Sequence, residues 1–146
     1  QDLLIRDKKI LIVEDDARNL FAISRRMEDE GMNIITAGDG KNALKKLEKH
    51  PDVDLIFMDI MMPGMDGYET IRRIRAKDPF RDLPIIALTA KAMAEDRKRC
   101  IEVGADDYMA KPVDFKRLLS MLQVLLNKES RVLHMGSEDA QDINSR

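Results

Sequence analysis

This sequence of 146 residues contains little cysteine and few aromatic residues, and its net charge is small. The single cysteine, Cys100, excludes an internal disulfide framework and a cysteine-based zinc cluster, and it fits a reducing compartment. Four Phe, two Tyr and no Trp leave little material for stacking on bases or sugars. The sequence has 25 basic and 27 acidic residues, so it lacks the net positive charge that attracts a polyanion. We therefore expect no nucleic-acid partner.

Long apolar runs are absent as well. No segment approaches the roughly 20 residues of a membrane span, and the N-terminus lacks the apolar core of a signal peptide. We therefore expect a cytoplasmic domain that makes no contact with a membrane. The chain begins with Gln1 rather than Met, which leads us to expect a processed product or a piece of something longer.

Short aliphatic segments alternate with amphipathic helical patterns along most of the chain. Buried strands are predicted at five of these segments, the fifth being the weakest, namely Ile10–Val13, Ile34–Ala37, Val53–Met58, Ile85–Leu88 and Asp107–Ala110. A helix is predicted after each strand, the first capped by Asp16 and the last marked by a leucine-rich stripe. On the third helix, Arg72, Arg73 and Arg75 are expected to face solvent.

This alternation predicts an α/β fold, a doubly wound five-stranded parallel sheet with five helices on its two faces. The expected strand order is 2-1-3-4-5, which places the first and third strands side by side. We predict a linker over residues 1–7, one domain over 8–128, and a polar, flexible tail over 129–146.

Polar side chains follow the predicted strands at the edge where ligands bind in such sheets. Glu14 and Asp15 follow the first strand, Asp59 the third, Thr89 the fourth and Lys111 the fifth. Three close carboxylates repel one another unless a cation lies among them, and hard oxygen ligands suit Mg²⁺. A lysine and a hydroxyl at the same place add donors for a tetrahedral anion. The set therefore predicts a phosphoryl-transfer site.

Each of these residues also has a simpler explanation when taken alone. The acidic run at 14–16 could be a solvated helix start, where acidic residues favour the helix dipole. Tyr108 could be a half-buried strand aromatic, and the ten methionines are expected to be mostly core filler. Cys100, next to Ile101 on the fourth helix, is expected to be a buried thiol rather than a reactive one.

Four segments in order form a specific signature: ILIVEDD at 10–16, DLIFMDIMMPGMDG at 54–67, LTA at 88–90 and GADDYMAKPVD at 104–114. Together they resemble the receiver domains of two-component response regulators, including those attached to hybrid sensor histidine kinases. The resemblance extends from residue 9 to about residue 127. It implies the flavodoxin-like receiver fold and a phosphorelay function.

The resemblance implies a role for each polar residue at the strand ends. Asp59 would be the nucleophile that takes a phosphoryl group from a partner's phosphohistidine as an acyl phosphate. Mg²⁺ would be held by the carboxylates of Asp15 and Asp59, by the carbonyl oxygen of Met61, and by Glu14 through a water molecule. Lys111 would pair with Asp59 and then with a phosphoryl oxygen.

The resemblance also implies a switch. Thr89 would donate its hydroxyl to the phosphoryl group, assisted by the amide of Ala90, and Tyr108 would turn inward as Thr89 moves. These movements would reshape the surface of the fourth helix, fifth strand and fifth helix. The bond between Lys111 and Pro112 would be cis.

The partners implied by the resemblance are a histidine kinase or a histidine phosphotransfer domain, and a phosphorylation-dependent homodimer through the fourth and fifth helices. Such a domain catalyses only its own phosphorylation and dephosphorylation. The non-Met start and the short polar tail favour the receiver end of a hybrid histidine kinase, which would make the parent chain a kinase. A stand-alone regulator is the alternative.

Three other functions fit the sequence less well. A haloacid-dehalogenase-type phosphatase would need a second aspartate two residues after the nucleophile, where this chain has Met61. A flavin carrier is disfavoured because the acidic residues after the first strand would repel the cofactor phosphate. A receiver-like module that only docks and is never phosphorylated is disfavoured by the complete set of polar residues.

Met61 and Lys91 each lie two residues past a site residue, Asp59 and Thr89 respectively. Neither side chain can orient an attacking water as a carboxylate or an amide could. We therefore predict slow autodephosphorylation, suited to holding or relaying the phosphoryl group.

Overall fold

The computed structural model describes residues 5–90 and 93–127. Five strands form one parallel sheet in the order β2-β1-β3-β4-β5, which confirms the predicted topology. The strands are β1 (Lys9–Val13), β2 (Asn33–Ala37), β3 (Leu55–Asp59), β4 (Ile85–Thr89) and β5 (Asp107–Ala110). Because β1 pairs with both β2 and β3, the carboxyl ends of β1 and β3 lie side by side.

Helices follow every strand, as predicted. They are α1 (Ala17–Asp29), α2 (Gly40–Lys49), α3 (Gly67–Arg75), α4 (Ala94–Val103) and α5 (115–127), with a short 3-10 turn at Asp78–Phe80. The Asp16 side chain accepts hydrogen bonds from the amides of Arg18 and Asn19, which confirms it as the cap of α1. The predicted tail at 129–146 and Lys91 lie outside the described residues.

Two hydrophobic layers cover the two faces of the sheet. Alternate residues of each strand point to opposite faces, so Ile10 and Ile12 pack in one layer while Leu11 and Val13 pack in the other. Ile5, in the segment predicted as a linker, is also buried in the core. In the described part of the chain, none of the helices has the length and apolar character needed to cross a bilayer.

Arg75 corrects one prediction, because its side chain does not face solvent. Its guanidinium donates hydrogen bonds to the carbonyl oxygens of Phe80, Leu83 and Gly104 at 2.6–2.9 Å. It also pairs with Asp106 at 3.0 Å. These partners lie at the end of the sheet opposite the polar strand ends, where Arg75 joins the end of α3 to the starts of β4 and β5.

Candidate functional site

The carboxyl ends of the strands bring the predicted polar residues to one edge of the sheet. Asp59 ends β3 and Thr89 ends β4, while Glu14 and Lys111 directly follow β1 and β5. The Lys111 amide donates a 2.8 Å hydrogen bond to the Thr89 carbonyl oxygen, which continues the sheet ladder past β5. The bond between Lys111 and Pro112 is cis, as the resemblance implied.

Lys111 joins two buried carboxylates. Its Nζ lies 3.1 Å from Glu14 Oε1 and 3.2 Å from Asp59 Oδ1. The residues Glu14 and Asp59 are each 1% exposed, whereas the Lys111 side chain is 28% exposed. An ammonium between two buried carboxylates offsets much of the cost of removing them from water. The ammonium therefore marks where an incoming anion would find a positive charge.

Three carboxylates at this edge form a cluster suited to a divalent cation. One oxygen from each of Glu14, Asp15 and Asp59 lies within 4.8 Å of the other two. Asp59 Oδ2 is buried and accepts no hydrogen bond from the described residues, so a charged oxygen there lacks a partner. Carboxylate oxygens are hard ligands that suit Mg²⁺. Because Asp15 is exposed, the cluster is open to solvent, which fits an ion that keeps several water ligands.

Burial and charge change the titration of this site. Burial, and after it the neighbouring Glu14 carboxylate, raise the pKa of Asp59 to about 7, although Lys111 opposes the change. Burial by itself lowers the pKa of Lys111, but Glu14 and Asp59 outweigh it and hold that pKa above its ordinary value. Further positive charge at this site would lower the pKa of Asp59 and favour its carboxylate form, which is the better nucleophile.

A main-chain amide also binds the Asp59 carboxylate. The Met61 amide donates to Asp59 Oδ1 at 3.3 Å. The Met61 side chain points away from the core and is 68% exposed. Met61 therefore contributes its main chain to the site, while its side chain is exposed to solvent.

A cleft of about 230 Å³ opens beside the two residues that follow Asp59. It is lined by Ile60, Met61, Tyr68, Thr89, Ala90 and Asp96. Thr89 is buried, at 3% exposure, whereas Ala90 is exposed. Two of the three residues predicted to contact a phosphoryl group, Thr89 and Ala90, thus line a cleft that also includes the two residues after Asp59.

Tyr108 is half-buried on β5, and its ring has the Arg97 guanidinium 5.7 Å from its centroid. Tyr68, which is buried on α3, has the Arg99 guanidinium 4.0 Å from its ring centroid. Cys100, which directly follows Arg99, is fully buried, as predicted, and burial raises the pKa of its thiol. Neither arginine contact was predictable from the sequence, since exposed arginines on a helix ordinarily indicate only a solvated face.

Comparison with known families gives a match over most of the chain. The family model described as "Response regulator receiver domain" matches residues 10–123. The chain is 36% identical over 125 residues to the sensor histidine kinase GacS of Pseudomonas protegens, covering 84% of this chain and 14% of GacS. It is also 36% identical over 136 residues to the transcriptional regulatory protein PhoP of Bacillus subtilis, covering 93% of this chain and 55% of PhoP.

Solved structures agree with these sequence relatives. The receiver domain of sensor histidine kinase PA1611 from Pseudomonas aeruginosa, solved with magnesium coordinated in the active-site cleft, has a TM-score of 0.77 and 37% identity. The similarity covers 83% of this chain and 98% of that domain. This chain therefore spans one whole domain of such proteins but about half or less of the curated relatives' length.

Proposed function

Because this chain belongs to the family of response regulator receiver domains and is a receiver of two-component signalling, we propose that Asp59 is its phosphoacceptor. The carboxylate oxygen attacks the phosphorus of a phosphohistidine on a partner, a new O–P bond forms, and the P–N bond breaks. The imidazole leaves with the electrons of that bond and takes up a proton. The product is an acyl phosphate on Asp59.

The observation that carries this proposal is the charge arrangement around Asp59. One of its oxygens lies 3.2 Å from the Lys111 ammonium, and the other, Oδ2, is buried without a hydrogen-bond partner in the described part of the chain. A carboxylate approaching an anionic phosphorus needs neutralising charge on the phosphoryl oxygens. Lys111 supplies one such charge and holds the acceptor oriented for attack.

We assign Mg²⁺ to the cluster of Glu14, Asp15 and Asp59, with the Met61 carbonyl oxygen as a further ligand. When bound, the ion supplies positive charge to the phosphoryl oxygens and to the acceptor. Asp15, the exposed member of the cluster, would bind the ion directly, whereas Glu14, which is buried and paired with Lys111, would act on it through a water molecule.

We assign the response to phosphorylation to Thr89, Ala90 and Tyr108. The Thr89 hydroxyl and the Ala90 amide bind phosphoryl oxygens from the cleft side, and Lys111 binds another from the β5 side. As Thr89 moves toward the acceptor, the half-buried Tyr108 ring turns inward. The surface of α4, β5 and α5 changes with it.

The phosphoryl donor in this proposal is a histidine kinase or a histidine phosphotransfer domain. The sequence has only two histidines, and neither His50 nor His134 lies in a phosphoacceptor setting, so the donor histidine belongs to another domain. Since phosphohistidine is formed from ATP, we place the domain in the cytoplasm. A receiver within a hybrid histidine kinase is favoured over a stand-alone regulator.

The test is intact-mass spectrometry after incubation with acetyl phosphate and Mg²⁺. The wild-type protein is expected to gain the mass of one PO₃ group, and Asp59→Asn none. Asp16→Asn is the matched control, because it removes a neighbouring exposed carboxylate while asparagine still caps α1, and it is expected to behave as wild type. No gain in wild type would overturn the proposal in favour of a docking-only module.

A phosphorylation-dependent homodimer through α4 and α5 is part of the proposal and has its own measurement. Light scattering after size-exclusion chromatography is expected to show a larger mass with acetyl phosphate and Mg²⁺ than without them. Equal masses in both conditions would remove the dimer while leaving the phosphoacceptor assignment in place.

A further inference from the structure

The first half of α4 has no fully buried side chain. The buried residues of this helix, Cys100 and Val103, both lie in its second half. The capping residue, Met93, gives the helix start no side-chain hydrogen bond. Hydrophobic burial therefore anchors the end of α4 but not its beginning.

Two arginines of α4 lie over tyrosine rings, Arg97 in the first half of the helix and Arg99 in the second. Arg99 lies over the buried ring of Tyr68 on α3 at 4.0 Å, and Arg97 lies over the half-buried ring of Tyr108 on β5 at 5.7 Å. Among the described residues, no carboxylate lies within ion-pair distance of either guanidinium. Cation–π attraction is the interaction available to each of them.

The two contacts differ in strength because cation–π attraction grows with proximity and loss of water. The contact between Arg99 and Tyr68 is the shorter one, and its ring is only 6% exposed. The contact between Arg97 and Tyr108 is longer, and its ring is partly open to solvent. The tyrosine that the proposed function requires to move thus carries the weaker contact.

We propose that Arg97 is a positioning residue that holds Tyr108 and the start of α4 together in the unphosphorylated receiver, and that inward rotation of Tyr108 releases it. Arg99 stays on Tyr68 and keeps α4 attached to α3 while its first turns move. This inference rests on the proposed function, because it takes Tyr108 as the switching residue. It predicts that weakening the Arg97 contact favours the phosphorylated arrangement.

The experiment uses the two tyrosines as separate probes, since the sequence contains no others. The protein is labelled with 3-fluorotyrosine, and the two ¹⁹F resonances are assigned with Tyr68→Phe and Tyr108→Phe. Reference positions are recorded for the unphosphorylated protein and for the protein with Mg²⁺ and beryllium fluoride, which mimics an acyl phosphate.

Arg97→Gln is expected to move the Tyr108 resonance toward the acyl-phosphate position without any phosphodonor, and to leave the Tyr68 resonance in place. Cation–π attraction at such a site corresponds to about a two- to five-fold change in the equilibrium and in the rate of phosphorylation by acetyl phosphate. Lys98→Gln is the matched control, since it removes the same charge from the adjacent, exposed position. Arg97→Lys, which keeps the charge but loses the planar group, is expected to be intermediate.

An unchanged Tyr108 resonance in Arg97→Gln overturns the inference, as does an equal change in Lys98→Gln. Failure of the proposed function is a separate result: the wild-type protein then gains no mass with acetyl phosphate. In that case the unphosphorylated Tyr108 resonance still shows whether Arg97 contacts the ring.

Discussion

Gly67 packs directly against the main chain of Asp59. A Cβ added to Gly67 would lie 2.4 Å from the Asp59 carbonyl oxygen and 2.6 Å from the Ile60 Cα, both of them backbone atoms that cannot turn aside. Because the amide of Gly67 also donates to the carbonyl oxygen of Ile60 at 2.9 Å, the start of α3 is tied to the acceptor segment. The position of Asp59 therefore depends on a glycine eight positions further along the chain.

Gly67→Ala is expected to lower the free energy of unfolding by about 2 kcal/mol or more, because the backbone around Asp59 must shift. Phosphorylation by acetyl phosphate should slow with it. Gly38→Ala is the control, since an added Cβ there meets nothing within 4 Å, and urea unfolding should change by less than about 1 kcal/mol. Equal stability of the two variants would contradict the packing argument.

Lys111→Met is expected to reduce the phosphorylation rate by about 100-fold, because the positive charge next to the phosphoryl oxygens is lost. It also leaves Glu14 and Asp59 buried together, so the Mg²⁺-free protein should lose about 2 kcal/mol of stability. Lys9→Met is the control, because it breaks the surface pair with Asp52, which is worth at most about 1 kcal/mol. A Lys111→Met protein that is phosphorylated at the wild-type rate would remove Lys111 from the mechanism.

The raised pKa of Asp59, about 7, predicts a pH dependence of stability without Mg²⁺. The folded state binds the Asp59 proton more tightly than the unfolded chain, whose carboxyl titrates near pH 4. The free energy of unfolding should therefore fall as pH rises from about 4 to about 7, and Asp59 should add no further loss above that range. Urea unfolding in EDTA measures the slope, which should be smaller in Asp59→Asn; the same slope in both proteins would contradict the assignment.

Met61→Glu is expected to shorten the lifetime of the acyl phosphate by about ten-fold or more, because a carboxylate at this exposed position can orient a water for attack. Loss of the phosphorylated mass after removal of the donor gives the rate. Met93→Glu is the control, because Met93 is exposed to a similar degree, 61% against 68%, but lies outside the acceptor segment. An unchanged lifetime in Met61→Glu would remove the explanation for slow autodephosphorylation.

Arg75→Met is expected to lower the free energy of unfolding by about 3 kcal/mol, since several buried carbonyl oxygens lose a charged donor. The rate of phosphorylation of the folded protein should stay at the wild-type value, because the Arg75 contacts lie at the opposite end of the sheet. Arg73→Met, which breaks an exposed pair with Glu69, should cost less than about 1 kcal/mol. A large loss of phosphorylation in folded Arg75→Met would show that the two ends are coupled.

The sheet and its polar edge could be predicted because both follow from local patterns. Aliphatic segments of fixed length define the strands, and parallel strands direct their following residues to one edge. Glu14, Asp59 and Lys111 were therefore predicted to meet from sequence position alone, and the distances confirm it.

Arg75 and Arg97 show what the sequence could not supply. Arg75 follows two arginines that do face solvent, and its burial depends on carbonyl oxygens from two connections, α3–β4 and α4–β5, whose positions are set only by the folded chain. Arg97 lies in a charged segment of α4 that is typical of a solvated helix face. Its contact with Tyr108 arises from the packing of α4 beside β5. Contacts of one side chain with remote main-chain or ring atoms leave no periodic signal.

The separation of the Arg75 cluster from the acceptor edge has a consequence for how such a domain tolerates change. We expect that stabilising substitutions at the amino ends of the strands raise the free energy of unfolding without altering the residues proposed to bind the phosphoryl group. The added stability would offset destabilising substitutions at the opposite edge of the sheet. Changes in partner preference and in the lifetime of the acyl phosphate would arise from substitutions at that edge. A wild-type rate of phosphorylation in Arg75→Met would therefore mean that the two ends of the sheet can be engineered independently.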